Sequence, residues 1–361
     1  MPTVTATAMG RNEAERGAEH LKGGSCRGIG TGSGIQQPVV IIGAPRSGTT
    51  LLFRCLAMHP ELWHLPAESH PVLEGPLHPA RTGWVSNRAE ADSVSPGELA
   101  QLRRVFFKRA LNLNRILRDP APLLTGSSLG RRLLTRTMLL TLGKLSRAGL
   151  AGRIRLVEKT PKNSLRVPFM DRLFPDAKFL HIVREPRQNI DSLLAGWRSS
   201  DRIGPLRLPR FQRAGYPIAG GLSLKDYRGR WWRFALVPGW RSLAGGTLAD
   251  VALKQWYECN RIAADDLRLI PAERVLTIRF EDFLADPEGA FGEILTWAEL
   301  GEPGPALAFC RRLPRVNTAG PMARDRTTGL RFPEEVDRAL AGFPEASSLA
   351  RRLGYELDGP A

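Results

Sequence analysis

The sequence predicts an α/β fold, a central parallel sheet flanked by helices, from three observations. Short apolar runs rich in β-branched residues, Val39 to Ile42, Ile154 to Val157, Phe179 to Val183 and Val275 to Ile278, are bounded by turn residues. Unbroken apolar runs of this length suit strands buried on both faces. Two runs lead into helical patterns, Thr49 to Met58 and Pro186 to Trp197, and a third precedes helical apolar spacing at Val167, Met170, Leu173 and Phe174. Strand followed by helix, repeated, is the signature of a helix-flanked parallel sheet. The third observation is the loop Gly43 to Gly48 between the first strand and the first helix, which makes the fold P-loop-like.

Of the 361 residues, 42% are hydrophobic and 24% charged, enough to bury a core, and no apolar run has the roughly 18 residues of a membrane-spanning helix. Lysine and arginine outnumber aspartate and glutamate by 52 to 36, and the resulting charge of +16 points to a polyanionic partner: nucleic acid, a membrane surface or a phosphorylated small molecule. Cys26, Cys55, Cys259 and Cys310 lie far apart without a CxxC pair, so neither a zinc ribbon nor a disulfide framework is indicated and a reducing compartment is expected. The first residues lack the apolar stretch of a secretory signal, so the expected location is cytoplasmic.

Residues 1–37, rich in Gly, Ser, Thr, Ala and Glu, read as a disordered tail. The charges of this tail nearly balance, so the basic excess belongs to a single folded domain, 38–361, with insertions at about 75–150 and 200–250. The first insertion is helical. Leu134, Met138, Leu142 and Leu145 share a face opposite Arg132, Arg136 and Arg147, as in a core-facing helix with a solvated basic side or a helix lying on a membrane surface. The second is rich in Arg, Gly and Trp, with Trp231, Trp232 and Trp240, and falls where a cover over a substrate would lie.

The strand, loop and helix of residues 39–56 form an anion cradle, because unpaired N–H groups and the helix dipole point at the same spot. Against the triphosphatase pattern, GxxxxGK followed by Ser or Thr, both glycines match, but Thr49 occupies the lysine position and the cation has moved into the loop as Arg46. That lysine ordinarily serves the β- and γ-phosphates, so its loss argues against ATP or GTP hydrolysis.

Residues 45–50, PRSGTT, resemble the 5′-phosphosulfate loop of sulfotransferases that use 3′-phosphoadenosine 5′-phosphosulfate (PAPS). The loop arginine is similar to the Golgi-type and bacterial branch, which includes tyrosylprotein and carbohydrate sulfotransferases. The resemblance implies that Arg46, Ser47, Gly48, Thr49 and Thr50 hold the phosphosulfate without a metal; an arginine fork with hydroxyl and backbone donors suits such an anion. Residues 174–198 place Arg184 at a strand end, where ligands bind in open α/β sheets, and Ser192 in the following helix. They resemble the family's 3′-phosphate site, which implies that role for Arg184 and Ser192. Residues 274–291 resemble the strand that ends in a VRYEDLL-like motif, with Phe280 in place of the usual tyrosine; Glu281 and Asp282 read as structural caps.

Sulfuryl transfer to a hydroxyl requires donor and acceptor in line, cations for the bridging and leaving oxygens, and a base for the acceptor proton. Arg46 and Lys159 are the candidate cations; Lys159 follows the strand 154–157 and matches the family's lysine near the sulfuryl group, with Lys162 as its alternative. For the base, residues 59–75 offer Glu68, His70 and Glu74. Glu68 stands one residue beyond the tyrosylprotein branch's spacing and is the first choice, and His70 is the second, being able to work as a base without a shifted pKa. His64, Glu68 and His70 match no metal-ligand spacing, so no metal is expected. The polar, basic stretch 316–332 is of the kind that closes over a donor, but no residue in it matches a motif. The expected partner is a hydroxyl acceptor, whether small molecule, glycan, lipid or peptide, with peripheral membrane contact possible and no nucleic acid. The rivals are a P-loop small-molecule kinase and a basic nucleic-acid or membrane-binding protein.

Overall fold

A computed structural model describes residues 34–111, 153–199, 202–203, 208–209, 215–217, 222–228, 231–312 and 329–357. A five-stranded parallel sheet runs through it, built from β1 (Val39–Ile42), β2 (Leu62–His64), β3 (Arg155–Lys159), β4 (Lys178–Val183) and β9 (Val275–Arg279) in the order β2-β3-β1-β4-β9. Short antiparallel pairs join β5 (Arg202–Ile203) to β6 (Leu208–Pro209) and β7 (Tyr216–Pro217) to β8 (Trp231–Trp232). The four expected strands are present. β2 was not anticipated, because three residues at a sheet edge carry no readable pattern.

Alternation along β1 divides the core. Val39 and Ile41 face one layer with Leu180 and Ile182, covered by α1 (Thr49–Ala57), α7 (Phe280–Ala285), α8 (Pro287–Trp297) and α9 (Pro305–Cys310). Val40 and Ile42 face the other with Phe179, against α3 (Pro96–Leu111) and α4 (Val167–Leu173), while α2 (His70–Leu73) lies beyond the β2 edge. A third cluster gathers around α5 (Pro186–Arg198) and α6 (Leu248–Leu267), with α10 (Pro333–Ala341) and α11 (Glu345–Arg352) packed on it. Trp197 of α5 belongs to this cluster together with Trp232 and Trp240 of the second insertion, while Trp231 is only partly buried. Trp197 donates to Gln255 Oε1 at 2.8 Å, which satisfies the indole nitrogen inside it.

Order begins ahead of the expected boundary at Pro38: Ile35 is buried and bridges Ile154, and the Gln37 N–H donates to Asp176. Residues 1–33 and the expected helix at 132–147 lie outside the described residues, as do 313–328 of the C-terminal stretch and Cys26. Among the described residues no helix is long and apolar enough to cross a membrane.

Gly43 ends β1 where a Cβ would stand 2.7 Å from the Ile182 carbonyl and 2.7 Å from Ser47 Oγ. The first neighbour is backbone of β4 and cannot withdraw. Gly43→Ala is therefore expected to lower stability by about 1–3 kcal/mol through overpacking, whereas Gly75→Ala, with nothing within 4 Å, is expected to change it by less than about 0.5 kcal/mol; urea unfolding of the two variants checks the difference.

Candidate active site

Parallel pairing sets Ile41 beside Lys159 and Ile42 beside His181, so the chain leaves β3, β1 and β4 along one edge. The loop 43–48, Lys159 and Arg184 all stand at that carboxyl edge, where open α/β sheets bind ligands. Arg46 takes a left-handed conformation, φ 72°, uncommon for a residue with a side chain, and Gly48, φ 102°, delivers the chain to α1. Asn189 of α5 donates to the Pro45 carbonyl at 2.9 Å and Arg184 to the Arg46 carbonyl at 3.1 Å, so the turn is held from the neighbouring strand–helix unit. The N–H groups of Gly48, Thr49 and Thr50 stand at the start of α1, where no carbonyl of the preceding turn can accept from them. Ser47 is buried, and its hydroxyl has no hydrogen-bond partner and lies beneath the loop near Gly43.

The loop and the second expected motif meet here. Arg46 Nε donates to Ser192 Oγ at 3.1 Å, and the Arg184 guanidinium lies 4.9 Å from the Phe280 ring centroid. Phe280, in the tyrosine's place, thus supplies a face for the arginine, and its ring would collide with any side chain on Gly48. Glu281 accepts from the Glu185 N–H at 3.0 Å and from the Tyr355 hydroxyl at 2.7 Å, a tether for the start of α5. Sequence reasoning missed Arg331. The Arg331 and Phe332 N–H groups donate to Asp191 of α5, at 2.7 and 2.9 Å, and burial first, then the Arg331 charge, lower the Arg46 pKa. No motif marks Arg331; its only sequence signal was the basic character of 316–332.

On the other side of the loop, Lys159 Nζ donates to Thr50 Oγ1 at 3.1 Å and to Glu68 Oε1. The second oxygen of Glu68 lies 2.9 Å from His70 Nε2. Burial raises the Glu68 pKa, but the His70 hydrogen bond and the Lys159 charge outweigh it and carry it down to about 2. Lys162 is not a second cation at this point: its ammonium is buried against Glu74 and Tyr216, and burial lowers its pKa to about 8. Beneath Glu68, the Ser69 hydroxyl donates to buried Glu158 at 2.6 Å and the Ser69 N–H to Thr160 at 2.8 Å, fastening the segment to β3. His64 turns to the Leu65 carbonyl, and no group of three metal-ligating side chains occurs among the described residues. Beside Glu68 opens a cavity of about 290 Å³ lined by Leu65, Pro66, Ala67, Pro71, Val72 and Arg109.

A P-loop-like sheet with guanidinium, ammonium and helix-start donors along one edge is a protein built around a small polyanion. Residues 38–203 match the model of the sulfotransferase family. A 150-residue stretch is 24% identical to omega-hydroxy-beta-dihydromenaquinone-9 sulfotransferase Stf3 of Mycobacterium bovis, and equally to that of Mycobacterium tuberculosis. It covers 42% of this chain and 30% of theirs, so the match spans under a third of the relatives' length. Among solved structures, the sulfotransferase domain from the curacin biosynthetic pathway is 19% identical with a TM-score of 0.43, covering 90% of this chain and 99% of that one. Sulfotransferase STF9 from Mycobacterium avium is 15% identical with a TM-score of 0.44, covering 90% and 79%.

The depressed Glu68 pKa has a consequence for stability. Its stabilising ionisation is fully present above its ordinary value of 4.5 and is lost as the pH falls through 4.5 toward about 2. Urea midpoints measured at pH 5 and pH 3 are expected to drop further in the parent than in Glu68→Gln.

Proposed function

We propose that the chain transfers a sulfuryl group from PAPS to the hydroxyl of an apolar acceptor. One observation carries the reading: the chain of contacts Ser192–Arg46–loop–Thr50–Lys159–Glu68 puts the 3′-phosphate motif, the phosphosulfate loop and a carboxylate along one edge. The residues suit the donor. Arg46 and Arg331 crowd like charges that an anion relieves, and the first N–H groups of α1 await an acceptor. Arg184 and Ser192 take the 3′-phosphate, while Arg46, Gly48, Thr49 and Thr50 take the 5′-phosphosulfate; Ser47, with its hydroxyl under the loop, shapes the turn.

PAPS when bound supplies the activated sulfuryl group and an anionic leaving group. Lys159 neutralises charge on the bridging oxygen, and Glu68 accepts the acceptor's proton. These two tasks are linked, since an ammonium drawn toward the donor withdraws from Glu68 and makes that carboxylate a stronger base. His70 holds the far oxygen of Glu68. Leu65, Pro66, Ala67, Pro71 and Val72 line the cavity together with the charged Glu68 and Arg109, which supports an alcohol with an apolar body as acceptor; the relative named for a menaquinone derivative is in keeping with this. Thr49 in place of the triphosphatase lysine stands against a kinase. We place this chemistry in the cytoplasm, on the strength of four cysteines spread along the sequence without a CxxC pair or a disulfide framework.

Arg184→Ala is expected to weaken binding of the 3′,5′-bisphosphate product about 10-fold or more in calorimetry while 5′-AMP changes little; equal losses for both overturn the 3′-phosphate assignment. Under saturating PAPS, Glu68→Gln is expected to lower kcat by about 10²–10⁴-fold. Full turnover in both Glu68→Gln and His70→Ala shows that the base lies elsewhere.

A further inference from the structure

Behind the site carboxylate lies a second one that the proposed chemistry does not use. Glu74 follows α2 and takes the Tyr216 hydroxyl proton on Oε2 at 2.6 Å, with Arg166 Nη2 at 3.1 Å and Lys162 Nζ at 3.2 Å on Oε1. The Arg166 side chain is fully buried and that of Lys162 nearly so, so Glu74 is the counter-charge that makes two desolvated cations tolerable. Glu74 Oε1 also stands 3.7 Å from His70 Nδ1, near enough for charge but not for a hydrogen bond, and that buried nitrogen has no hydrogen-bond partner, while the other ring nitrogen is 2.9 Å from Glu68. Lys159 lies on the far side of Glu68, buried Glu158 acts on both Lys159 and Glu68, and Arg109 lines the cavity beside Glu68.

The imidazole therefore spans two carboxylates. Because Glu68 is ionised and can only accept, the proton between them sits on His70 Nε2. Glu74 Oε1 lies between Nδ1 on one side and the Lys162 and Arg166 cations on the other. We propose that Glu74 is a positioning residue for Glu68, acting through His70: it shields the ring from Lys162 and Arg166, fixes its orientation and so holds the Glu68 carboxylate toward the acceptor. Tyr216 belongs to β7, inside the second insertion, so that segment contributes to the site by clamping Glu74 rather than by touching substrate. The proposal rests on Glu68 being the base of the proposed reaction, but the ring geometry is testable without any reaction.

The first experiment is a double-mutant cycle on kcat under saturating PAPS. Glu74→Gln is expected to lower kcat about 10-fold in the parent and less than about 2-fold in a His70→Ala background, with binding of 3′,5′-bisphosphate unchanged. Tyr216→Phe, which keeps the ring and removes one bond to Glu74, is expected to lower kcat about 2–10-fold, and Glu74→Asp to recover part of the loss. An equal loss from Glu74→Gln in both backgrounds makes Glu74 merely structural and overturns the proposal. The second experiment is nitrogen-15 NMR of the His70 ring, assigned with His70→Ala. At one fixed pH the Nδ1 and Nε2 chemical shifts are expected to differ between Glu74→Gln and the parent, and in Tyr216→Phe where Glu74→Gln does not fold. Unchanged ring shifts overturn the proposal even where sulfuryl transfer is established. Changed ring shifts in a chain that neither binds the bisphosphate nor turns over PAPS uphold the Glu74–His70 link and remove the sulfuryl-transfer reading instead.

Discussion

The register of β1 between β3 and β4 is the constraint on which the site depends. Their pairing sets Lys159, Arg184 and the loop 43–48 at one edge, although the loop stands more than a hundred residues of chain from the other two. The left-handed turn at Arg46 is an unfavourable local conformation, and it persists because Asn189 and Arg184 bond the carbonyls on either side of it. Gly43 and Gly48 are the other half of that arrangement: neither can carry a side chain without striking β4 or Phe280. The cradle thus belongs to the sheet as a whole and not to its own six residues.

Charge compensation is the second theme. Buried ions cost several kcal/mol each unless paired, and on the Glu68 side of the edge they are paired in a chain: Lys159 with Glu68, Glu68 with His70, Glu74 with Lys162, Arg166 and Tyr216. The loop side differs. There Arg46 is half-buried and feels the like charge of Arg331. One edge therefore presents a self-balanced half beside a half with surplus cations, and an anion is drawn to the second. This sorts the +16 with which the sequence confronts a reader: a few of those charges act at the site, and many others form ordinary surface and helix ion pairs such as Arg187–Asp337 and Arg198–Glu335.

What could be read from the sequence follows from the range of each interaction. β1, β3, β4 and β9 were legible because an unbroken apolar run is a local signal, and the loop was legible because its chemistry occupies six consecutive residues. β2 was not, since three edge residues without β-branched side chains look like loop. Glu68 and His70 stood out as residue types, but nothing local says that Glu74 turns toward Lys162 and Arg166, or that Tyr216 crosses 142 positions to meet it. Arg331 escaped for the same reason: its placement comes from backbone bonds to Asp191 on another helix. The role of the second insertion was not legible because Arg, Gly and Trp carry no periodic pattern, and only tertiary packing brings Trp232 and Trp240 against α5 and α6.

A carboxylate whose pKa lies near 2 is a poor base at neutral pH, yet the surroundings that make it so also make it responsive. Two of the groups that depress Glu68 are Lys159 and His70, and both have competing partners. Lys159 already divides itself between Glu68 and Thr50 at the mouth of the loop, so an anion there bids directly for the same ammonium. His70 divides itself between Glu68 and Glu74. The basicity of Glu68 in the proposed reaction is thus set by what occupies the loop on one side and by a buried counter-charge on the other. Such an arrangement keeps the base weak while the loop is empty and strengthens it once a donor anion engages Lys159, which ties proton removal from the acceptor to the presence of the group that is to be transferred.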